Sequence, residues 1–183
     1  KASQFSFSRL SKADPVLGVD MASTGEVGCL GDDYYEAILK SMLAVGHRIP
    51  KKAVLISSGE TRSKAELLES SKILLSMGFK IYTTIGTHNF LQDNGINSTV
   101  VYWPDIKQSP NAYDLIKNGD VDLVINIPKN LESEELNNDY SIRRAAVDFN
   151  VPLITNSRLA SAFIYAISHY ATKDLIVKSW REY

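Results

Sequence analysis

The sequence contains a single cysteine, Cys29, among 183 residues. One cysteine excludes a disulfide within the chain and any metal site built from several thiolates. Because disulfides belong to oxidising compartments, the composition favours a reducing one. Long apolar runs are also missing, since none approaches the length of a membrane span, about 18 residues. The start Lys1–Gln4 has no signal-peptide pattern. We therefore expect no membrane partner, and the initial Lys indicates a fragment of a longer protein.

A surplus of basic residues is absent as well, because 20 Lys and Arg stand against 21 Asp and Glu, for a formal net charge of -1. A protein that binds a nucleic-acid polymer neutralises many phosphates and needs such a surplus. The charge therefore excludes a nucleic-acid polymer as a partner, whereas a small phosphorylated ligand needs only a few local cations. Length and composition, with 44% hydrophobic residues, fit one globular domain or slightly more.

From about residue 48 onward, short apolar runs alternate with helical patterns. The strand-like runs are Val54–Ser57, Lys80–Thr84, Thr99–Trp103, Leu123–Ile127 and Pro152–Thr155. Helices are expected from Thr61 to Gly78, Thr87 to Gln92, Asn111 to Asn118, Asp139 to Phe149 and Ser157 to Tyr170. Apolar strands separated by helices are typical of a parallel sheet covered on both faces. The sequence thus predicts an α/β fold, a doubly wound open sheet of five parallel strands with helices on both faces.

The first 47 residues do not follow this alternation. Phe5–Arg9 alternates apolar and polar residues and predicts an edge strand. Asp32 or Asp33 is expected to cap an amphipathic helix that follows. A polar stretch with Gly and Pro, Gly46–Lys52, marks the predicted boundary, which divides the chain into residues 1–47 and 48–183.

Ligands of open parallel sheets bind beyond the carboxyl ends of the strands. Thr84, Gly86 and Thr87 lie at one such end. Gly86 permits close backbone approach, Thr87 can cap the following helix, and both hydroxyls can donate to a phosphate or carboxylate. A plain helix cap explains the same residues without any ligand.

Other strand ends and helix starts supply further candidates. Lys64, Arg143 and Arg144 lie near helix starts and offer the cationic part of an anion site, or are solvated surface charges. Trp103 can stack on a ligand or pack in the core. Asn126 interrupts an apolar strand, so its amide requires a hydrogen-bond partner, either a loop or a ligand.

Catalytic patterns are poorly represented. His47, His88 and His169 lie in three unrelated contexts without an evident carboxylate partner. The sequence contains no catalytic triad, no cluster of metal ligands and no Walker-type phosphate loop. These observations favour a binding domain, with no catalytic residue and no metal ligand assigned.

Several segments together resemble the carboxyl-terminal part of the large chain of carbamoyl-phosphate synthase. Phe5–Leu10, Ala13–Gly18 and Met21–Val27 look like the tail of its second ATP-grasp synthetase unit. Residues 51–168 look like the adjoining regulatory domain, which is methylglyoxal-synthase-like. Gly86, Asn126–Pro128 and Ile142–Asp148 fall at its ligand-binding loops. The resemblance covers nearly the whole chain.

The resemblance implies an allosteric domain that is not itself catalytic and holds no cofactor. Its implied partners are a small anionic effector, the synthetase domains of the same chain and a homo-oligomer. The parent would be a glutamine-hydrolysing ligase that uses ATP and Mg2+ to make carbamoyl phosphate. The implied effector-binding residues are Lys64, Thr84, Gly86, Thr87, Trp103, Asn126 and Lys129, with Arg143 and Arg144 beside the pocket.

Two effector types occur in this family. Lys64 resembles the multifunctional pyrimidine enzymes, which respond to uridine nucleotides in the cytoplasm. Trp103 and Asn126 resemble the mitochondrial urea-cycle type, which N-acetylglutamate activates, but Lys129 and Asp139 stand where that type has asparagines. We therefore expect a uridine nucleotide, with UTP as feedback inhibitor, and keep N-acetylglutamate as the alternative.

A lyase of the same fold, methylglyoxal synthase, is the enzymatic alternative. Its chemistry needs a carboxylate base and a histidine beside the phosphate site. The first loop, Ser57–Glu60, has no histidine, and the fourth strand ends at Asn126–Lys129 without an aspartate. A purely structural docking module is the third hypothesis, although it gives Lys64, Thr84 and Thr87 no common purpose.

Overall fold

The computed structural model describes residues 1–16, 25–128 and 133–182. The strands are β1 (Ala2–Gln4), β2 (Gly25–Val27), β3 (Ala53–Ser58), β4 (Lys80–Thr84), β5 (Thr99–Val101), β6 (Leu123–Ile127) and β7 (Leu153–Ile154). The helices are α1 (Tyr34–Ala44), α2 (Thr61–Glu66), α3 (Leu68–Ser76), α4 (Ile85–Asp93), α5 (Ala112–Lys117), α6 (Ser133–Asp148) and α7 (Ser157–His169). Within the described ranges, no helix is both long enough and apolar enough to cross a bilayer.

Strands β3 to β7 form one parallel sheet in the order β5-β4-β3-β6-β7. The predicted α/β fold with five parallel strands is confirmed. The chain runs outward from β3 to β5 and then returns to the other side of β3 to form β6 and β7. The strand order therefore reverses between β3 and β6, which is where open sheets leave a crevice for a ligand. Ser57 pairs with Asn126 across these two strands.

Helices cover both faces of the sheet, as predicted. Val54 and Ile56 of β3 pack in one cluster with residues of α1, α3 and α7. Leu55 of β3 and Val124 of β6 pack in a second cluster with residues of α5 and α6. Because side chains alternate between two buried faces, every residue of β3 and β6 is buried. This is the physical reason why both strands appear in the sequence as continuous apolar runs.

Helix α1 precedes the predicted boundary near residue 47 but packs against α7, in the same buried cluster as residues of the sheet. Its N-cap, Asp33, accepts a hydrogen bond from the Glu36 backbone N–H over 2.8 Å, so the predicted acidic cap is confirmed. Leu39 and Met42 belong to the same buried cluster as Phe163 of α7. The boundary itself stays a prediction, and the apolar face of α1 is part of the core of the sheet.

The predicted edge strand at Phe5–Arg9 is wrong. Ala2–Gln4 pairs antiparallel with Gly25–Val27 instead, and Phe7–Arg9 forms one 3-10 turn. The Phe5 and Phe7 ring centroids lie 4.4 Å apart. Arg144 of α6 donates to the carbonyls of Phe7, Leu10 and Ala13 over 3.2, 3.1 and 3.2 Å. A distant guanidinium therefore binds the Phe7 carbonyl, which a strand would have paired, together with two carbonyls beyond the predicted strand. No local pattern indicates these bonds.

Candidate ligand-binding site

Hydroxyl and amide side chains meet where β3, β4 and β6 end. Ser57, Thr84 and Asn126 are all buried. The Thr84 hydroxyl donates to Ser57 Oγ over 3.2 Å, and the Ser57 hydroxyl donates to Asp139 Oδ1 of α6 over 3.3 Å. The Asn126 Nδ2 group donates to the same carboxylate oxygen over 2.8 Å. One buried carboxylate thus joins the ends of three strands.

The Asn126 side chain finds its partners inside the protein. Besides the bond to Asp139, its Oδ1 accepts a hydrogen bond from Arg143 Nη1 over 2.8 Å. The sequence left a loop and a ligand open as partners, and the structure provides two side chains of α6. Because an unpaired amide inside a sheet costs free energy, this pairing explains how the apolar strand accommodates Asn126.

Arg143 connects this network to the amino-terminal segment. It is 1% exposed, and its Nε donates to Asp14 Oδ1 over 2.7 Å. Its Nη2 donates to the other oxygen of the Asp14 carboxylate, which gives a bidentate ion pair. A buried guanidinium is costly without such a partner. Arg143 therefore lies between the candidate site and residues near Asp14.

Arg144 points to the amino-terminal segment rather than to the strand ends. In addition to the three carbonyls named above, it binds Asp148 on its own helix, with Nε 3.0 Å from Asp148 Oδ1. This hydrogen bond raises the pKa of the Arg144 guanidinium. The two adjacent arginines therefore have different surroundings, and Arg143 is the one that bonds to the network.

Thr87 lies inside α4, so its predicted role as a helix cap is wrong. The helix begins at Ile85, and its N-cap residue, Thr84, makes no side-chain capping bond. Thr87 Oγ1 accepts from the Ser58 backbone N–H over 3.0 Å and donates to the Ser58 carbonyl over 3.3 Å. These bonds hold the start of α4 against the end of β3. The first N–H groups of a helix have no partner within the helix, so this end of α4 favours an anion.

A lysine ammonium lies beside the start of α4. A Cβ placed on Gly86 would be 3.6 Å from Nζ of Lys64, so the missing side chain leaves the backbone open next to this charge. Ser58 Oγ is buried without a hydrogen-bond partner among the described residues. A buried hydroxyl of this kind calls for an explanation, and a bound ligand supplies one. The helix end, the ammonium and the hydroxyl together provide an electropositive place at the sheet edge.

Trp103 follows β5 and is half-buried. Its side chain packs against the core cluster between the sheet and helices α5 and α6. Its carbonyl accepts a hydrogen bond from Asn111 Nδ2 over 2.9 Å. The packing alternative therefore holds for part of the ring, and the exposed part is available to a ligand.

The remaining candidates add little to the described site. Lys129 lies outside the described residues. His88 Nδ1 is 2.8 Å from Ser98 Oγ, and the His47 ring lies 6.3 Å from the ring of Phe163, measured between centroids. Over residues 1–16, 25–128 and 133–182, no group of His, Cys, Asp and Glu side chains could hold a metal ion.

The sequence placed Ser57 and Ser58 at a strand end and Asp139 at a position that differs from the urea-cycle type, but none of them was predicted to bind the effector. Asp14 was not predicted to belong to the site. Strand register gives one available signal, because any partner of Asn126 on the central strand must be near Ser57. Spacing on α6 is a second signal, since Asp139 and Arg143 are four residues apart and share one helix face, and both are buried. Its partner Asp14 is 129 positions away, and no spacing rule connects them.

Comparison with known proteins agrees with this architecture. Residues 66–155 match the family model described as MGS-like domain. The chain carries an MGS-like domain. The matched range includes the ends of β4 and β6, where Thr84 and Asn126 lie. The family resemblance found in the sequence is thereby confirmed.

Curated relatives of this MGS-like domain protein are much longer chains. Multifunctional protein URA2 of Saccharomyces cerevisiae is 44% identical over 184 residues, which cover 96% of this chain and 8% of the relative. Multifunctional protein CAD of Squalus acanthias is 40% identical over 181 residues, which cover 91% of this chain and 8% of the relative. The mitochondrial carbamoyl-phosphate synthase (ammonia) of Homo sapiens is 40% identical over 171 residues, which cover 91% of this chain and 11% of the relative. The chain thus spans about a tenth of the length of these relatives.

Proposed function

We propose that this chain is the allosteric effector-binding part of a carbamoyl-phosphate synthase, and that its effector is a uridine nucleotide, with UTP as a feedback inhibitor. The observation that carries the proposal is the Lys64 ammonium beside Gly86 at the start of α4, to which Thr87 holds Ser58. The buried hydroxyl of Ser58 has no hydrogen-bond partner in the part of the chain that the structure describes. An anionic group fits this place, and the polar strand ends lie beside it.

The phosphates of the effector and its uracil and ribose would contact different residues. Phosphate oxygens would accept hydrogen bonds from the first N–H groups of α4 and from Lys64, as at other helix starts. The uracil and ribose would lie towards Trp103 and Asn126, where an aromatic ring and a polar network are available. Lys129 belongs to the proposed site as a further cation.

The parent activity is part of the proposal, because the chain covers only about a tenth of its relatives. In the parent, synthetase domains of the same chain would carry out ligation with ATP and Mg2+, and residues 1–47 would end the preceding synthetase unit. A uridine nucleotide effector implies a cytoplasmic enzyme. N-acetylglutamate would imply the mitochondrial matrix, and relatives of both kinds have similar identity, 44% and 40%.

A matched pair of lysine variants tests the anion site. In Lys64→Gln we expect the affinity for UTP to fall about tenfold, because a charged hydrogen bond contributes on the order of 1.5 kcal/mol. Lys72→Gln is the control, since Lys72 is an exposed lysine on α3 that pairs with Glu69. Isothermal titration calorimetry on the full-length protein measures both.

Equal UTP affinity in the two lysine variants would contradict the site, and absence of UTP binding in the unmodified protein would contradict the nucleotide assignment. Turnover of dihydroxyacetone phosphate would instead support the lyase alternative. The described strand ends provide no histidine for that chemistry, because His88 bonds to Ser98.

A further inference from the structure

The chain of hydrogen bonds at the strand ends continues out of the candidate site. It runs from Thr84 through Ser57 and Asp139 to Asn126, and from there through Arg143 to Asp14. Its last link, from Arg143 to Asp14, leaves the sheet domain for the amino-terminal segment. Thr84 and Asp14, the two ends of this series of hydrogen bonds, are therefore connected through the buried guanidinium of Arg143.

The geometry points to Arg143 as a positioning residue that couples ligand binding at the strand ends to the docking of residues 7–14 on α6. This inference rests on the proposed function and names its regulation. Arg143 binds Asp14 through Nε and Nη2 and binds Asn126 through Nη1, so its charge lies between the amino-terminal segment and the strand ends. Asp14 and an anionic ligand at the strand ends carry charge of the same sign, and Arg143 attracts both.

Asp14 and the anionic ligand compete for the charge of Arg143, so binding of one disfavours binding of the other. With the segment docked, the Asp14 carboxylate neutralises Arg143, whose side chain is 1% exposed. The phosphates proposed for the start of α4 are favoured when the positive charge of Arg143, beyond the strand ends, is not already neutralised. UTP therefore favours release of the segment, and release of the segment favours UTP, because linkage between two binding events is reciprocal.

The docked segment has a second, separate attachment. Arg144 donates to the carbonyls of Phe7, Leu10 and Ala13, and among the described residues its bonds do not reach the strand-end network. The Tyr140 hydroxyl of α6 also donates to the Lys12 carbonyl over 3.0 Å. Among the described residues, three side chains of α6 thus hold the segment, and Arg143 is the one that bonds to Asn126. When the Asp14 carboxylate leaves Arg143, residues 7–14 change their position relative to the sheet domain.

Three variants of the full-length protein test the coupling. Asp14→Asn removes the carboxylate charge and is expected to bind UTP about fivefold more tightly by calorimetry. Asp14→Glu keeps the charge, on a carboxylate that is 42% exposed and has room to move, and is expected to restore the original affinity. Glu69→Gln removes the same charge from an exposed position on α3 and is expected to leave UTP affinity unchanged.

Hydrogen exchange on the unmodified protein gives a reading that depends on no variant. Saturating UTP is expected to increase amide exchange in residues 7–14 relative to the free protein. If Asp14→Asn were merely to loosen the fold, UTP binding would weaken, which contradicts the inference. Equal affinity in all three variants, or unchanged exchange in residues 7–14 while UTP binds, would also overturn it. Absence of UTP binding in every variant would overturn the proposed function itself.

Discussion

At the scale of single residues, Asn126 illustrates what a sequence can and cannot reveal. A polar residue within an apolar strand predicts that the amide has a partner, and that prediction is confirmed. The identity of the partner does not follow, because Asp139 and Arg143 reach Asn126 only through the packing of α6 on the sheet. Local patterns thus indicate the need for a hydrogen bond, whereas tertiary structure decides which group meets it.

His47 predicts a pH dependence of stability. Burial lowers the pKa of its imidazole below the ordinary value of 6.5, and its Nδ1 has no hydrogen-bond partner among the described residues. The unfolded chain therefore binds this proton more readily. The contribution is fully present above the ordinary pKa and is lost as the pH falls through 6.5 towards the lowered folded-state pKa.

Urea unfolding at pH 7.5 and pH 5.5, on the order of one unit either side of the ordinary histidine pKa, measures this effect. We expect His47→Gln to lose less free energy of unfolding between the two pH values than the unmodified protein loses. His169→Gln is the control, because the His169 ring is exposed and stacks on Tyr165. The same pH dependence in His47→Gln and in the unmodified protein would exclude this role for His47.

At the scale of elements, buried strands were predictable and edges were not. Lys80–Thr84 and Leu123–Ile127 match β4 and β6 residue for residue. Strand β5 ends before the predicted Trp103, because the Tyr102 N–H bonds to the carbonyl of Pro110 instead of to a ladder. Position in the sheet explains the difference, since a central strand has neighbours on both sides and an edge strand is open to loops.

Helix α4 allows stability and binding to be separated. A methyl group at Gly86 would be in ordinary contact with Lys64, at 3.6 Å, so Gly86→Ala fits the fold. Alanine favours a helix by up to about 1 kcal/mol over glycine, so the melting temperature should hold or rise. The same methyl covers backbone beside the ammonium, so UTP affinity should fall about tenfold.

Gly78→Ala is the control for Gly86→Ala, and the opposite effects on stability and on UTP binding are expected. Gly78 has a φ of +83°, where a side chain is strained, so that variant should melt earlier and bind UTP normally. Thermal unfolding and calorimetry on both glycine variants check the pattern. If Gly86→Ala bound UTP normally, the start of α4 would not be the anion site.

At the scale of the whole molecule, net charge predicts that no nucleic-acid polymer is a partner. Composition did not reveal that α1 belongs to the core of the sheet domain. The apolar face of α1 packs with α7, and the Tyr170 hydroxyl donates to Asp33 at the start of α1. This bond raises the pKa of Tyr170 to about 12. A boundary placed by Gly and Pro content assigns α1 to the preceding unit, although the sheet needs α1 for burial.

Leu39→Ala tests whether α1 is structural for the sheet domain. Leu39 is fully buried among residues of the sheet and α7, so its truncation should lower the free energy of unfolding by about 2–4 kcal/mol. Leu30→Ala, at an exposed leucine that precedes α1, should change it by less than about 0.5 kcal/mol. Urea denaturation compares the two. A loss of similar size in both would mean that the core does not extend to α1.

We propose that the carboxyl edge of this sheet binds the phosphates of a uridine nucleotide. Calorimetric titration of the unmodified full-length protein with UTP, uridine and N-acetylglutamate tests this binding. We predict that UTP binds, that uridine binds far more weakly because it lacks phosphates for the start of α4 and Lys64, and that N-acetylglutamate does not compete. Equal binding of UTP and uridine, or binding of N-acetylglutamate alone, would contradict the claim.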